Sequence, residues 1–405
     1  MGLQAIGPGR LVEQNIVCLA HLPWDGPWKA YHQIISRLAD ANRVFCIDPP
    51  SALRQALDSV RGRATIPPLL RRVSSNLYTY HPPWWLSRPR VRWAEQSIQP
   101  IRMRHARWMS RRLGFSSSVL WMFDPMLVPF IDLFERRFLV YHVTDNYIEF
   151  LSHSASQQRA KMARYHELLL RQADVVFAVS PQLHEQCRQI NESTYLVPNG
   201  VDFDRFQQAM ADARVPEDIQ GIPRPVIGYV GHIESNLHIE IVRWVAAARP
   251  DWSLVFIGPA DATAREELMA LTRRYPNVFY LGAKRLEEVP YYTKCLDAAM
   301  MIDRERTDGD SIKLYEYLAC GKPVVSLDAD SVQRVKHLVW LAKDGPEFVR
   351  CLEQALHEHP SLAAARIAFA RGETWQSRLE TVTAAIERHL SQAMSFQALQ
   401  ATRES

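Results

Sequence analysis

The residues best suited to chemistry in this 405-residue chain lie close together in Asp308–Val325, DGDSIKLYEYLACGKPVV. The pattern predicts a helix beginning near Ser311, just beyond an apolar run at Ala298–Ile302. The free amides around Ser311 and Ile312 would point toward the end of that strand, and a helix start in such a place suits a diphosphate. Lys313 adds a point charge for phosphate. Glu316, one turn further along the same face, can accept hydrogen bonds from a ribose diol. The alternative is a solvated Lys313–Glu316 pair on an ordinary helix. A second turn, GYVGHIES, is bracketed by Gly228 and Gly231. Glycine there permits close approach of a phosphate to the backbone, and close helix–strand packing explains it equally well. His232 and Glu234 follow, either facing a ligand or lying on a surface loop.

Removing a proton from a hydroxyl requires a carboxylate or a histidine. Asp145, in VYHVTDNY, stands just past the apolar run Phe138–Val143, where a strand end would open toward ligand. Its alternative role is an N-cap before Tyr147–Leu151. His142 is the next candidate, with a buried structural histidine as its alternative. Asp25, in PWDGPW, follows the first apolar run and is either a substrate-facing acid or a plain Asp-Gly turn residue. Two acidic triplets, Asp308-Gly309-Asp310 and Asp328-Ala329-Asp330, flank the expected helix and read as loop acids.

A different chemistry is suggested by Trp84–Arg112, WWLSRPRVRWAEQSIQPIRMRHARWMSRR. It sets eight arginines, Arg92 and Arg104 among them, against one acid, Glu95, with Trp84, Trp85, Trp93 and Trp108 interleaved. Arginine with tryptophan suits the boundary between water and anionic lipid headgroups. The alternatives are a solvated basic helix with its tryptophans packed inward, or a single-stranded nucleic-acid surface; no other segment resembles a nucleic-acid module.

The elements that must hold these residues repeat as short apolar run, turn and helix. Apolar runs fall at Asn15–Ala20, Val44–Ile47, Val119–Met122, Phe138–Val143 and Val175–Val179, then at Val226–Val230, Leu254–Ile257, Val278–Leu281, Ala298–Ile302 and Val324–Ser326. Each has the length of a strand buried on both faces. Helix-period segments at His32–Ala39, Gln158–Gln172, His238–Ala248 and Ala264–Tyr275 intervene, so the expectation is a doubly wound α/β protein. The breaker LVPNGVDFDRF divides it into domains at about 1–198 and 199–370, and an amphipathic helix is expected from Arg371 to Leu390 within a tail, 371–405. The length suits two domains. A net charge of +4 with 47% hydrophobic and 23% charged residues is that of a globular protein and does not by itself argue for nucleic acid. Six scattered cysteines without a CxxC pair suggest reduced thiols in the cytoplasm. Neither a signal peptide nor a membrane-spanning run is expected.

SIKLYEYLACGKPVVS resembles the donor-site helix of GT-B glycosyltransferases, especially bacterial enzymes of polysaccharide assembly. HLPWDGPWKAYHQIISRLA, YHVTDNYIEF, ADVVFAVSPQLHE…YLVPNGVDFDRF and VIGYVGHIES…WSLVFIGP agree in order and spacing, over about residues 15–390. The resemblance implies two Rossmann-like domains facing across a cleft, with a C-terminal helix crossing back to the first. It implies that the first domain takes the acceptor and the second a nucleotide-sugar, by family frequency a UDP-sugar with guanosine as the alternative base. Glu316 would bind the ribose and Lys313 would lie near the diphosphate. Asp308, eight positions before Glu316, stands where the family more often has a glutamate near the sugar. Asp145 resembles the position of the base in the xanthan glucuronosyltransferase type. In the other main glycosyltransferase fold a DxD triplet binds a metal; within this pattern no essential metal or other cofactor is expected. The resemblance further implies a glycan or lipid-linked acceptor of cell-surface polysaccharide synthesis. Together with the basic tryptophan stretch, it points to a peripheral place on the inner membrane face. The alternatives are a nucleotide-sugar epimerase of the same fold and an inactive partner of another transferase. A NAD-dependent dehydrogenase is set aside because HLPWDGPW, not GxGxxG, follows the first strand.

Overall fold

The computed structural model describes residues 11–26, 28–52, 67–89, 92–146, 156–304, 310–327 and 330–404. The chain divides into two compact units, residues 1–198 with 378–405, and residues 199–377.

Unit 1 contains β1 (Asn15–Leu19), α1 (Ala30–Leu38), β2 (Arg43–Ile47), β3 (Leu70–Arg72), β4 (Leu77–Tyr80), α2 (Arg92–Arg112), β5 (Ser118–Met122), β6 (Arg136–Val143), α3 (Ser156–Gln172), β7 (Val175–Ala178), α4 (Pro181–Arg188) and β8 (Thr194–Leu196). Its sheet runs β3-β4-β2-β1-β5-β6-β7-β8, with only β3 antiparallel to its neighbour. The order reverses between β1 and β5, which makes that gap the switch point of a doubly wound sheet.

Unit 2 contains α5 (Phe203–Ala211), α6 (Glu217–Gln220), β9 (Val226–Val230), α7 (Ile239–Ala248), β10 (Ser253–Ile257), α8 (Ala262–Arg274), β11 (Val278–Tyr280), α9 (Val289–Lys294), β12 (Ala298–Met301), α10 (Ile312–Ala319), β13 (Val324–Leu327), β14 (Trp340–Ala342), α11 (Gly345–Leu356) and α12 (Ser361–Gly372). Its sheet is wholly parallel, in the order β11-β10-β9-β12-β13-β14, with the switch point between β9 and β12. Successive residues of a strand point to opposite faces. Ile227, Tyr229, Leu254 and Phe256 accordingly enter one core layer with Val242, Leu268 and Phe348. Val226, Val230, Val255 and Ile257 enter the other with Phe206, Leu314 and Tyr317. Burial on both faces is why these strands read as continuous apolar runs.

A last helix, α13 (Trp375–Glu404), begins in unit 2 and belongs to unit 1 from Arg378 onward. Within unit 1 the Arg378 Nε donates to the Pro198 carbonyl (3.0 Å), and Tyr195 Oη lies 3.1 Å from His389 Nε2. Every apolar run named above is a strand. The strands β3, β4, β8 and β14 are additional: β4 has four residues, and the other three have only three. The expected terminal helix from Arg371 is replaced by two, because the chain turns between Gly372 and Trp375.

Candidate functional site

At the switch point of unit 2, the chain leaves β9 through Gly231, whose φ of +146° favours glycine. Gly258, after β10, sits against it: a Cβ there would lie 1.9 Å from the Gly231 carbonyl oxygen, at a φ of +138°. Gly258→Ala is expected to lower stability by roughly 3 kcal/mol, through backbone strain and a clash with a carbonyl that cannot move freely; urea unfolding measures this. Gly228 has a different role from the phosphate turn considered above. It lies inside β9, where a Cβ would meet Leu296 at 2.2 Å, so its missing side chain makes room for the core.

Ser311 is the N-cap of α10, but its side chain does not cap, and the first turn holds no acid. Among the described residues the leading amides of the helix therefore lack a side-chain acceptor and keep the partial positive charge of a helix start. Lys313 does not hydrogen-bond Glu316. Its ammonium donates to Asp303 Oδ2 (2.7 Å), just past β12, and to the Tyr229 hydroxyl, which itself donates to Asp303 Oδ1 (2.6 Å). Burial raises the Tyr229 pKa well above its ordinary value, so the phenol stays neutral and relays the contact. A Cβ on Gly231 would stand 3.3 Å from Lys313 Cε, so the ammonium stem passes directly over the glycine turn.

Glu316 is half-buried, and its carboxylate makes no hydrogen bond among the described residues. Desolvation pushes its pKa up to about 7, while the nearby charges of Arg205, on α5, and Lys313 pull it down. A recessed carboxylate with unused lone pairs is an acceptor for hydroxyl donors. Asp310 is occupied: it accepts from the Asn199 amide (2.7 Å) and the Tyr315 hydroxyl (3.1 Å), and its carbonyl accepts from the Asn199 side chain (2.8 Å). This acid therefore fastens the approach to α10. Asp308 and Gly309 lie outside the described residues, as do Asp328 and Ala329. His232 Nδ1 is 3.0 Å from Glu234 Oε1, and both side chains are partly exposed.

In unit 1, polar residues gather at the carboxyl edge of the sheet. His21 follows β1, Asp48 follows β2, His81 follows β4 and Asp124 follows β5. His142 is the penultimate residue of β6, and Asp145, half-buried, stands two residues beyond that strand. His142 is enclosed by Trp121, Phe123 and Phe177, and desolvation lowers its pKa to about 3, which makes it a weak base. The segment in which Asp145 would cap a helix, Tyr147–Leu151, lies outside the described residues. Asp25 stands in a turn closed by the Gly26 amide on the Pro23 carbonyl, and it accepts from Arg71 at 2.6 Å. Asp48 accepts from the Trp24 amide (3.1 Å), and its Oδ2 lies 3.9 Å from His81 Nδ1.

Reasoning from sequence did not single out His21, His81, Asp124, Tyr229 or Asp303. A signal for the first three was present: β1, β2, β4 and β5 are followed by HLP, DPP, HPP and, after Phe123, DP. Proline cannot extend a parallel ladder, so each strand is cut just after a polar residue at the sheet edge.

On α2 the spacing of Ile101, Arg104, Trp108 and Arg112 places them on one face, and all are exposed, Ile101 at 51% and Trp108 at 49%. A 3-10 turn, Trp84–Leu86, adds Trp84 (48%) and Trp85 (53%). Trp85 and Trp108 both touch the ring of His105, at 5.9 and 5.6 Å between centroids, and Arg112 lies over Trp108. These tryptophans are therefore not packed inward. Arg102, by contrast, is buried on Glu95 and the Leu86 carbonyl, and Arg111 pairs with Glu135. The side chains of Arg92 and Trp93 lie outside the described residues. Among the described residues, no helix is long and apolar enough to cross a membrane, and no group of three or more His, Cys, Asp or Glu is placed to hold a metal ion.

Residues 224–358 match the family described as glycosyl transferases group 1. The chain is 27% identical over 257 residues to TuaH of Bacillus subtilis, whose name assigns it to teichuronic acid biosynthesis as a glycosyltransferase. That alignment covers 59% of this chain and spans 64% of TuaH. Among solved structures, sucrose-phosphate synthase from Thermosynechococcus elongatus superposes with a TM-score of 0.67 at 16% identity, covering 96% of this chain and all of that one. Anabaena HepE in complex with UDP-glucose gives 0.67 at 15% identity, covering 93% of this chain and all of HepE. The trehalose 6-phosphate synthase of Burkholderia multivorans gives 0.67 at 13%, covering 95% and 100%. The chain thus has the GT-B fold of two Rossmann-like units, and residues 224–358 of its second unit are similar to the glycosyl transferases group 1 family.

Proposed function

We propose that this protein is a glycosyltransferase that moves a hexosyl or glycuronosyl group from a UDP-sugar to a glycan or lipid-linked acceptor in cell-surface polysaccharide synthesis. The observation that carries this reading is the convergence at the switch point of unit 2 of Gly231, the start of α10, Lys313 and Glu316, whose carboxylate has no hydrogen bond among the described residues. In this reading the diphosphate lies on the Gly231 turn and the amides at Ser311 and Ile312, while Glu316 holds the ribose. HepE, whose structure was determined with UDP-glucose, supports uridine as the base. As the sugar leaves, the bond from its anomeric carbon to the diphosphate breaks, and the electron pair stays on the phosphate oxygen. Lys313 and the helix amides stabilise that charge without a metal. The acceptor oxygen forms the new bond, and Asp145 takes its proton. The exposed tryptophans and arginines of α2 and the Trp84–Leu86 turn would hold the protein on the inner face of the cytoplasmic membrane, where a lipid-linked acceptor is presented.

The histidines and carboxylates along the sheet edge of unit 1 favour one second reading, a nucleotide-sugar epimerase. Incubating the purified protein with UDP-sugars, with and without a membrane-lipid extract, separates the two. Transfer requires the extract and releases UDP, whereas epimerisation requires no acceptor and leaves the diphosphate bond intact. Asp145→Ala is expected to lower transfer at least 100-fold while nucleotide affinity stays unchanged. Near-normal turnover in that variant excludes Asp145 as the base. Failure of the protein to bind any nucleoside diphosphate would favour an inactive partner.

A further inference from the structure

Ser51, His81 and Asp48 form a chain of contacts that neither nucleotide binding nor proton removal by Asp145 employs. Ser51 Oγ lies 2.8 Å from His81 Nε2, and His81 Nδ1 lies 3.9 Å from Asp48 Oδ2. Strand register brings the three together. Ile47 of β2 pairs with Tyr80 of β4, so the next residues, Asp48 and His81, leave adjacent strands side by side. The Asp48 amide donates to the Tyr80 carbonyl (2.9 Å) and the His81 amide to the Leu69 carbonyl (3.0 Å), which fixes both backbones. Pro49 and Pro50 end the strand, and the Arg88 amide then holds the Ser51 carbonyl at 2.8 Å.

Exposure is graded along this chain of contacts. Asp48 and His81 are buried, Ser51 is half-buried, and Ala52 beside it is exposed. His81 Nδ1 is a buried nitrogen without a hydrogen-bond partner among the described residues, and such atoms require an explanation. The Asp48 carboxylate faces it across 3.9 Å, which favours a proton on Nδ1. The Nε2 lone pair is then left to accept from the Ser51 hydroxyl, the tautomer in which an imidazole acts as base toward a serine. Asp48 is itself anchored, its Oδ1 accepting from the Trp24 amide at 3.1 Å. Burial pushes the Asp48 carboxyl up, and His81 pulls against that shift. The 3.9 Å gap is longer than a hydrogen bond, as such contacts often are before a substrate binds.

We infer that Ser51, His81 and Asp48 form a second reactive centre that hydrolyses carboxylic esters through an acyl-serine. Ser51 Oγ bonds to the ester carbonyl carbon while its proton passes to His81 Nε2. The carbonyl electron pair moves onto oxygen. The amides of Ser51 and Ala52, which donate to no other residue among the described residues, are the donors at hand for that charge. The carbonyl then re-forms, the bond to the alcohol oxygen breaks, and that oxygen takes the proton from His81. Water repeats the sequence on the acyl-serine, releasing the carboxylic acid and restoring the Ser51 hydroxyl. Asp48 keeps its charge and stabilises the transient imidazolium. Water is the only co-reactant. The inference goes beyond the glycosyl-transfer reading and does not depend on it.

The test treats the full chain with a fluorophosphonate, which reacts with a serine activated by a neighbouring base. Mass spectrometry of the digested protein is expected to place one phosphonyl group on Ser51. Turnover of p-nitrophenyl acetate should fall on the order of 100-fold or more in Ser51→Ala and in His81→Gln. Asp48→Asn, which keeps an acceptor for the Trp24 amide but loses the charge, should lower it by a smaller factor. Ser51→Ala removes one half-buried oxygen and should melt close to wild type, so its lost turnover reports chemistry rather than unfolding. An acid-quenched reaction of the wild type should carry an acetyl group on Ser51. The inference is overturned if the phosphonyl group is absent or sits on another residue, or if Ser51→Ala hydrolyses the ester as fast as wild type. A serine that serves only to satisfy His81 gives those results. Labelling of Ser51 in a protein that binds no nucleoside diphosphate keeps this inference while the transferase reading fails. Sugar transfer by a protein whose Ser51 takes up no phosphonate does the reverse.

Discussion

Glu316→Ala is expected to weaken UDP binding by about 100-fold, because a ribose diol making two hydrogen bonds to one carboxylate loses roughly 3 kcal/mol when the acceptor is removed. The carboxylate is already partly desolvated and among the described residues has no hydrogen bond to give up, so little of the interaction is spent on rearranging the site. Titration calorimetry reads the effect directly, and an unchanged dissociation constant would remove Glu316 from the nucleotide site. The raised pKa adds a second signature. Its value of about 7 in the folded chain lies above the ordinary 4.5, so the folded state binds this proton more tightly than the unfolded one. The linked contribution to stability is fully present below about pH 4.5 and is lost as pH rises through about 7. Glu316→Gln should therefore melt above wild type at pH 8, with the gap closing toward pH 5. Nucleotide affinity of the wild type should move the opposite way, falling as pH drops below about 7 and the carboxylate gains a proton. Thermal melts and calorimetry across that interval check both signs.

The second large effect is expected on the face formed by α2 and the Trp84–Leu86 turn. Each exposed indole that enters a headgroup layer contributes roughly 1–2 kcal/mol by area, and each basic side chain at an anionic surface about 1 kcal/mol. Replacing Trp84, Trp85 and Trp108 together by alanine should reduce binding to phosphatidylglycerol vesicles on the order of 100-fold or more. Arg104→Glu with Arg112→Glu should cost at least roughly 30-fold, and only at low salt, because charges exposed on a surface are screened. Co-sedimentation with phosphatidylglycerol and phosphatidylcholine vesicles across a salt series separates the two contributions. Wild-type protein that ignores anionic vesicles would end the membrane reading. UDP affinity should be untouched in every one of these variants, since the residues changed lie on unit 1.

Much of this architecture was legible because both sheets are covered on both faces. Parallel strands buried in that way appear as short uninterrupted apolar runs, and the helices between them carry the period that turns one face inward. The strands that escaped notice, β3, β4, β8 and β14, are pieces of three or four residues at or beside sheet edges, too short to leave a pattern. Helix periodicity also puts Lys313 and Glu316 on one face of α10, since residues three apart are neighbours on any helix.

What no local pattern contains is the identity of partners supplied by other strands. Lys313 turns to Asp303 and Tyr229, ten and 84 positions away, because the parallel register of β9 with β12 brings both strand ends to the start of α10. Gly228 and Gly231 look alike in the chain, yet one makes room for Leu296 and the other turns the backbone at positive φ. The difference depends on what packs against each from elsewhere. His21, Phe123 and His142 meet only because β1, β5 and β6 are neighbours in the sheet, with the order reversing between β1 and β5. Residue types and spacing thus determined the elements, the polar edge of each and the face each helix shows. Strand order and register decided which charges pair and which rings meet, because a strand's neighbours are chosen by burial across the whole sheet and not by distance along the chain.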